Sequence, residues 1–481
     1  MLKKMIAIIT SVIILLTPIQ ASAVTWGEIV TGLQASDTFT DGKTTATRTS
    51  EGEYVISGGQ IGNPVEVSEL LQFSDSLKVL FRNIGIEQLN AHEDSGKTIA
   101  VILGSGSEVK GRVNVSAHGK DTNLSLTNEG KMGSLNAIVH NQAQAAIKNN
   151  GEITGGMNNE VHGEGSRLEF VNDKEGRITG GMDNGVSEKG ELVFTNNGTI
   201  SGEHLFNGAF DGGMLKNTNN GTINVTNVTN ESLHNYARGG GSFVESTNNG
   251  TINGGVMNQA DHEGSRNVAA NHGTVNGQYE FYTGDGGEVV GENNGTVNSL
   301  YAGADGGQVS AVNNGKVKEE IRADASHESM KADVTVINNG EADRMYVSAG
   351  ENGMLNVENN GRLTGDGKTW ITIEWEDGEF SRELSGELSI DVWDKGGTAN
   401  VTNNGSAAAA FIGAADGANA SLKNDGQIGN GEGIPLSSYA AENGRLTVTG
   451  SGSLEPYTLK MEDGTERTVS MIAQFGGNLS A

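Results

Sequence analysis

Short runs of alternating apolar and polar residues recur along this chain beside a tripeptide, Asn-Asn-Gly or a close variant, that returns about every 22 residues. Its glycine stands at 130, 151, 176, 198, 221, 250, 273, 295, 315, 340, 361, 405 and 426. In a strand, alternate side chains face the same way, so parity about this glycine sorts the positions. Two residues after it stand Ile153, Ile178, Ile200, Ile223, Ile252, Val275, Val297, Val317, Leu363 and Ile428. Six and four residues before it stand pairs such as Leu124 and Leu126, Leu192 and Phe194, Val334 and Val336, Leu355 and Val357. A fixed period that carries an aliphatic register predicts an all-β chain, a parallel β-helix (β-solenoid) of about 22 residues per coil in which these side chains stack coil on coil.

The residue two before the glycine shares the inward parity. It is asparagine at 128, 149, 196, 219, 248, 271, 293, 313, 338, 359, 403 and 424, with Lys174 the one break, where extra residues precede Gly176. Burying an amide is costly unless its donors and acceptors are paired. A column Asn128, Asn149, Asn196, Asn219, Asn248, Asn271, Asn293, Asn313, Asn338, Asn359, Asn403 and Asn424, each bonding the amide above and below, meets that demand. The next position varies among Asn, Glu129, Glu175, His272 and Asp425. That is expected where only a left-handed backbone is required.

Residues 24–103 lack the repeat and hold longer apolar runs, Leu70 to Phe73 and Val79 to Phe81. A solenoid end must be covered against edge-to-edge association, so 24–103 is read as an N-terminal cap with an irregular first coil, 104–444 as the β-helix and 445–481 as a C-terminal cap with a hairpin about Glu462-Asp463-Gly464. The doubled gap between Gly361 and Gly405 predicts a degenerate or replaced coil, with a hairpin-like insertion near 366–398 around Asp377-Gly378. Trp370, Trp375, Phe380 and Trp393 cluster there in a chain that is only 5% aromatic, a candidate contact platform.

Residues 1–23 carry Lys3 and Lys4, an apolar run from Met5 to Leu16 and Ala21-Ser22-Ala23, a secretory signal peptide that places the mature protein outside the cytoplasm, secreted or at the cell surface. The run is shorter than the roughly 20 residues a membrane span needs, and no later segment qualifies, so no transmembrane segment is expected in the mature chain. The chain has no cysteine and a formal charge of −28, becoming −30 once the two leader lysines are removed. Such a surface repels nucleic acid and anionic membranes.

Candidate chemistry is sparse. No Asp-Asp pair, His-Glu-x-x-His, Gly-x-Ser-x-Gly or phosphate-cradling loop occurs, and no cofactor motif is present. A polar column ahead of the turns runs through His140, His162, Glu188, Asp211, His234, His262, Asp285, Asp305, His327, Glu351 and Asp416. If stacked, acids such as Asp285 and Asp305 would repel one another; Ca²⁺ is the cation such an oxygen-rich row would take, and imidazolium at His234, His262 or His327 would relieve the same repulsion. On the opposite parity, Thr199, Thr222, Thr251, Thr274 and Thr296, each followed two residues on by Ser201 or by Asn224, Asn253, Asn276 and Asn298, form a grid of the kind that binds ice or crystalline surfaces.

The export signal, the Gly/Asn-rich coils with inward Ile, Val and Leu, the asparagine column and the absence of cysteine together resemble bacterial autotransporter passenger and adhesin-like β-helices, without the membrane barrel. The resemblance covers roughly Gly111 to Gly444. It implies a secreted or surface-associated scaffold that adheres to glycans or proteins. The alternative within this fold is a carbohydrate-active enzyme, a polysaccharide lyase or hydrolase.

Overall fold

The computed structural model describes residues 23–73, 75–225, 233–328, 330–365, 369–375, 378–384, 387–429, 435–441, 443–460, 466–469, 471–475 and 478–480. The leader expected over 1–23 lies outside them except for Ala23. The described chain is a parallel β-solenoid of about 16 stacked coils, each of about 23 residues.

Each coil follows one path. A strand of about six residues, such as Gln144–Asn149, joins the first sheet; the chain turns at Asn-Asn-Gly, and a short strand (Glu152–Ile153) and a longer one (Met157–His162) join the second sheet. In some coils the two fuse, as in Lys131–His140 and Thr274–Gly284. Register in the first sheet is held without slip, Leu124 pairing with Ala145, Ala145 with Leu168 and Leu168 with Leu192, while the second sheet shifts at Val109/Arg112 and at Val275/Gln278. Inward positions are buried at every step, and where rings enter the column they stack, Phe170 on Phe194 at 5.5 Å between centroids.

The asparagine column forms and is unbroken. Nδ2 of each asparagine donates to Oδ1 of the next, from Asn128 to Asn149 (2.7 Å) and onward through Asn293 to Asn313 (2.7 Å) and Asn403 to Asn424 (2.8 Å). Lys174 does not interrupt it. The extra residues widen the turn after Asn172, which is fully buried and takes the amide of Asn149 at 2.8 Å and gives its own to Asn196 at 2.7 Å. All of these asparagines are at most 6% exposed.

One expectation about the turn is corrected. Its second asparagine does not have a positive φ, and neither does its glycine. The second asparagine bonds instead along the rod on the outside: Asn220 to Asn197, Asn249 to Asn220, Asn314 to Asn294, Asn339 to Asn314 and Asn404 to Asn360, all within 2.9 Å. Glycine is required by crowding. A Cβ at Gly295 would lie 2.0 Å from the carbonyl oxygen of Gly273 one coil below, and at Gly315 2.1 Å from that of Gly295. The left-handed residues sit at the other corner, where Glu188, Asp211, His262, Asp285 and Asp416 have φ between 48° and 75°. Short polar residues in that column therefore serve the turn itself.

The ends and the doubled gap also have definite shapes. Helix α1 (Trp26–Ala35) opens with a capping box between Thr25 and Glu28, and Trp26, 2% exposed, donates Nε1 to the carbonyl of Glu66 at 3.0 Å. Antiparallel strands Thr38–Thr40, Thr45–Arg48 and Glu53–Ser57 follow, and the last begins the parallel stack by pairing with Ser76–Arg82. The long gap contains no degenerate coil: Gly353–Asn359 pairs directly with Thr398–Asn403, and Asn359 bonds Asn403 at 2.8 Å. The extra length is an antiparallel hairpin, Thr369–Trp375 against Gly378–Leu384, inserted within one coil. A second hairpin, Tyr457–Lys460 against Glu466–Val469, is likewise an insertion, because Met471–Phe475 and Asn478–Ser480 rejoin the two sheets in parallel.

Replacing Asn293 by Leu strips its neighbours of their partners and is expected to lower stability by about 1–3 kcal/mol. Asn294→Asp should cost less, since the new carboxylate still accepts from Asn314. Gly295→Ala, which must push backbone aside, should cost at least as much as Asn293→Leu. Chemical denaturation of the three variants checks the order; equal losses for the two asparagine variants would overturn the inward and outward assignment.

Candidate functional site: an aromatic face on the second sheet

The longer strands of the second sheet turn alternate residues outward, and strict register lines these up along the rod. One outward column reads Phe206, His234, Met257, Glu280, Tyr301, Arg322, Tyr346, Ser389, Phe411 and Ser437. The column beside it reads Gly208, Tyr236, Gln259, Tyr282, Gly303, Asp324, Ser348, Asp391, Gly413 and Tyr439, from the same pairings. Much of the chain's small aromatic complement is thus gathered on one face.

Glycine in the second column lets these rings lie down. A Cβ at Gly208 would sit 2.6 Å from the rings of both Phe206 and Phe210; at Gly303 it would meet the Tyr301 ring at 2.7 Å, and at Gly413 the Phe411 ring at 3.2 Å. The rings rest on bare backbone, half-buried. Phe206, His234 and Tyr236 also pack against each other, with centroids 5.4–6.4 Å apart.

Towards the C-terminal half the face gains charge. Arg322 lies between two tyrosines, its guanidinium carbon 6.0 Å from the Tyr301 ring centroid and 5.4 Å from that of Tyr346, a double cation–π arrangement. Its Nε donates to Asp324 Oδ2 at 2.6 Å, while Asp324 Oδ1 is buried without a hydrogen-bond partner. Burial pushes the Asp324 carboxyl above its ordinary range despite Arg322, and burial alone does the same at Asp391. Desolvation also raises Tyr301 and Tyr346, so their hydroxyls stay protonated.

Trp393, 53% exposed, belongs to this neighbourhood: its indole Nε1 donates to Ser348 Oγ at 3.1 Å, and Ser348 pairs with Asp391 on the next coil. Of the sequence-predicted platform, Trp370, Trp375 and Phe380 fall on the inserted hairpin, with Phe380 opposite Ile373 and Trp375 opposite Gly378; their side chains lie outside the description. The structure therefore associates Trp393 with a set that the sequence reading passed over. The available signal was a ring-x-Gly or ring-x-Ser pattern within strands, at Phe206, Tyr301, Tyr346 and Phe411.

The residues of the polar corner sit in different settings. Asp285 adopts a left-handed turn and donates its backbone N–H to the carbonyl of Asp305, while Asp305 Oδ1 stands 4.0 Å from His327 Nε2. Among the described residues no three His, Asp or Glu side chains are grouped to hold a metal ion. His234 lies within a strand on the aromatic face, away from the corner. The threonine grid is present in register from Thr199 to Thr296, but its amides bond one another, Asn253 to Asn224 at 2.6 Å and Asn276 to Asn253 at 2.8 Å.

At the N-terminal end of the same sheet four imidazoles form a row, His118, His140 and His162 stacked and His92 edge-on to His118. Ring centroids are 5.6 Å apart between His92 and His118, 4.9 Å between His118 and His140, and 4.5 Å between His140 and His162. Desolvation first, and then the neighbouring imidazoles, hold His118 and His140 below the ordinary histidine range; Asp94 opposes this at His118, as do Glu160 and Glu188 at His140.

Compared with protein-family models, curated proteins and solved structures, the chain matches none. Among the described residues no helix is long and apolar enough to cross a membrane.

The histidine stack sets a sign for pH dependence. A histidine whose folded pKa is depressed binds its proton more readily when unfolded, so stability is lost as pH falls through about 6.5, the unfolded value, toward the lower folded one. Thermal melts at about pH 7.5 and about 5.5 are expected to show a smaller loss for His118→Gln/His140→Gln than for the wild type. An equal loss would mean that the stack carries no such coupling.

Proposed function

We propose that the protein is an exported β-solenoid scaffold, secreted or displayed at the cell surface in the manner of autotransporter-type adhesins, and that the aromatic face of its second sheet adheres to glycans. The observation that carries this reading is the placement of the half-buried Phe206, Tyr301 and Phe411 rings over glycine backbone on one outward row. Sugars present patches of C–H groups that stack on such rings, while their hydroxyls need acceptors and donors at the rim. Asp391, Ser348 and the tyrosine hydroxyls are of that kind. A protein surface could use the same rings as anchors. The formal net charge of −28 argues against nucleic acid.

Hydrolysis is the second reading, favoured by one observation. Asp324 and Asp391 stand in one column two coils apart, about 10 Å by the strand spacing. Both carboxyls are raised by burial. Paired carboxylates at nearly that separation serve inverting glycosidases.

Screening purified protein against a glycan array and soluble polysaccharides tests both. Retention without product supports adhesion, and release of oligosaccharides that stops in Asp391→Asn replaces it with hydrolysis. For adhesion, Trp393→Ala is expected to weaken retention at least tenfold, about 1.4 kcal/mol, with an unchanged melting temperature. The Trp370→Ala/Trp375→Ala/Phe380→Ala variant assigns the hairpin: lost retention with intact stability makes it part of the contact surface, and lost stability makes its rings packing residues.

A further inference from the structure

The first outward column carries a regular alternation. From Glu280 the sequence of side chains, one per coil, is Glu280, Tyr301, Arg322, Tyr346, Ser389, Phe411. Polar and aromatic residues take strict turns, so rings recur every second coil, about 10 Å apart at the strand spacing. Two sugars of an extended β-linked polysaccharide cover that same distance. In such a ribbon alternate sugars present equivalent faces, while the sugars between them present hydroxyl edges.

We infer that the face binds a neutral, extended β-linked polysaccharide running parallel to the solenoid axis, with Tyr301, Tyr346 and Phe411 stacking on every second sugar and Glu280 and Arg322 addressing the hydroxyls of sugars between, while Ser389, only 6% exposed, leaves room between Tyr346 and Phe411. This rests on the proposed glycan-binding function and specifies its ligand. Charge selects the ligand class. Glu280, Asp324 and Asp391 border the path, and the guanidinium of Arg322 is held by Asp324, so a polymer of acidic sugars meets repulsion without a free cation to offset it. A globular partner would not require a two-coil repeat. A coiled α-linked glucan would fail to keep step with it.

Three rings spread over five coils, four strand spacings or about 19 Å, define the length of chain that gains from the site. Titration calorimetry with soluble β-linked gluco-oligosaccharides of two, four and six sugars is expected to show affinity rising at least tenfold from two to four and little beyond six. Tyr346→Ala, in the middle, should weaken binding of all lengths. Phe411→Ala should reduce the affinity for the longer chains toward that for the shorter ones and leave the disaccharide unaffected. Tyr346→Phe, which keeps the ring and loses only the hydroxyl, should weaken binding less than Tyr346→Ala, and an unchanged melting temperature of Tyr346→Ala serves as the folding control. Carboxylated polymers and α-linked oligosaccharides of equal length should bind at least tenfold more weakly.

Equal affinity at two and six sugars, or stronger binding of the acidic or α-linked series, overturns the axial ribbon. If an array then still reports other glycans bound and lost in Trp393→Ala, the proposed function survives without it. If no glycan is retained by the wild type, both fall.

Discussion

The stack depends on how closely one coil may approach the next. Parallel strands settle at one spacing, and at the Asn-Asn-Gly corner that spacing brings the backbone of one coil so near the next that a methyl group would collide with a carbonyl oxygen. Glycine at this corner is therefore a steric condition for stacking and owes nothing to unusual dihedral angles. Once the coils are in register there, every other column inherits the register. The buried amides can hand a hydrogen bond from coil to coil, the aliphatic side chains meet their own kind, and outward rows acquire regular composition. A second glycine column obeys the same condition at the bend in the second sheet, where a Cβ at Gly155 would lie 2.4 Å from the carbonyl oxygen of Gly133, and one at Gly180 2.1 Å from that of Gly155.

The close approach also admits a polar interior. A second buried ladder runs from Asn159 through Asn184, Asn207 and Asn235 to Asn258, with links of 2.7–2.9 Å, and ends on the carbonyl of Glu280 at 3.0 Å. Asn217, Asn267 and Ser246 bond into it from the facing strands. Over these coils the core is held by directional bonds as much as by apolar contact, which explains how a chain so poor in aromatic residues fills its interior. Where the ladder stops, Phe281 takes its place in the column, and its ring occupies the space that Gly291 leaves open.

The fold was legible because its information is local and repeated: period, parity and the amide at one fixed offset from glycine. What was not legible follows from counting along the chain when neighbours lie across it. Asn172 holds the column although its offset from Gly176 is four residues, because the turn absorbs the extra length outside the stack. The second ladder was visible as apolar-x-Asn-x-apolar at Met157 to Val161 and Leu233 to Ala237, yet nothing in one coil says that these asparagines share a column. The aromatic face suffered the same way. Trp370 and Trp375 drew notice by being close in sequence, whereas Tyr301, Tyr346 and Phe411 become neighbours only when coils of unequal length, one carrying an inserted hairpin, are laid side by side. Trp393 alone was reached by both routes.

The two kinds of asparagine row run in opposite senses. In both buried ladders the amide of each coil donates toward the C-terminal end, as from Asn196 to Asn219 and from Asn184 to Asn207. In the exposed row the donors point back, as from Asn220 to Asn197 and from Asn360 to Asn339. Aligned amide dipoles add, as peptide dipoles do in a helix, and hydrogen bonds in a chain polarise one another. A rod with all its rows aligned would carry opposite partial charges at its two ends, set further apart by every coil added. The counter-running outer row offsets part of that field at the corner where it arises, and so weakens the end-to-end attraction that would draw one rod onto the next, head to tail.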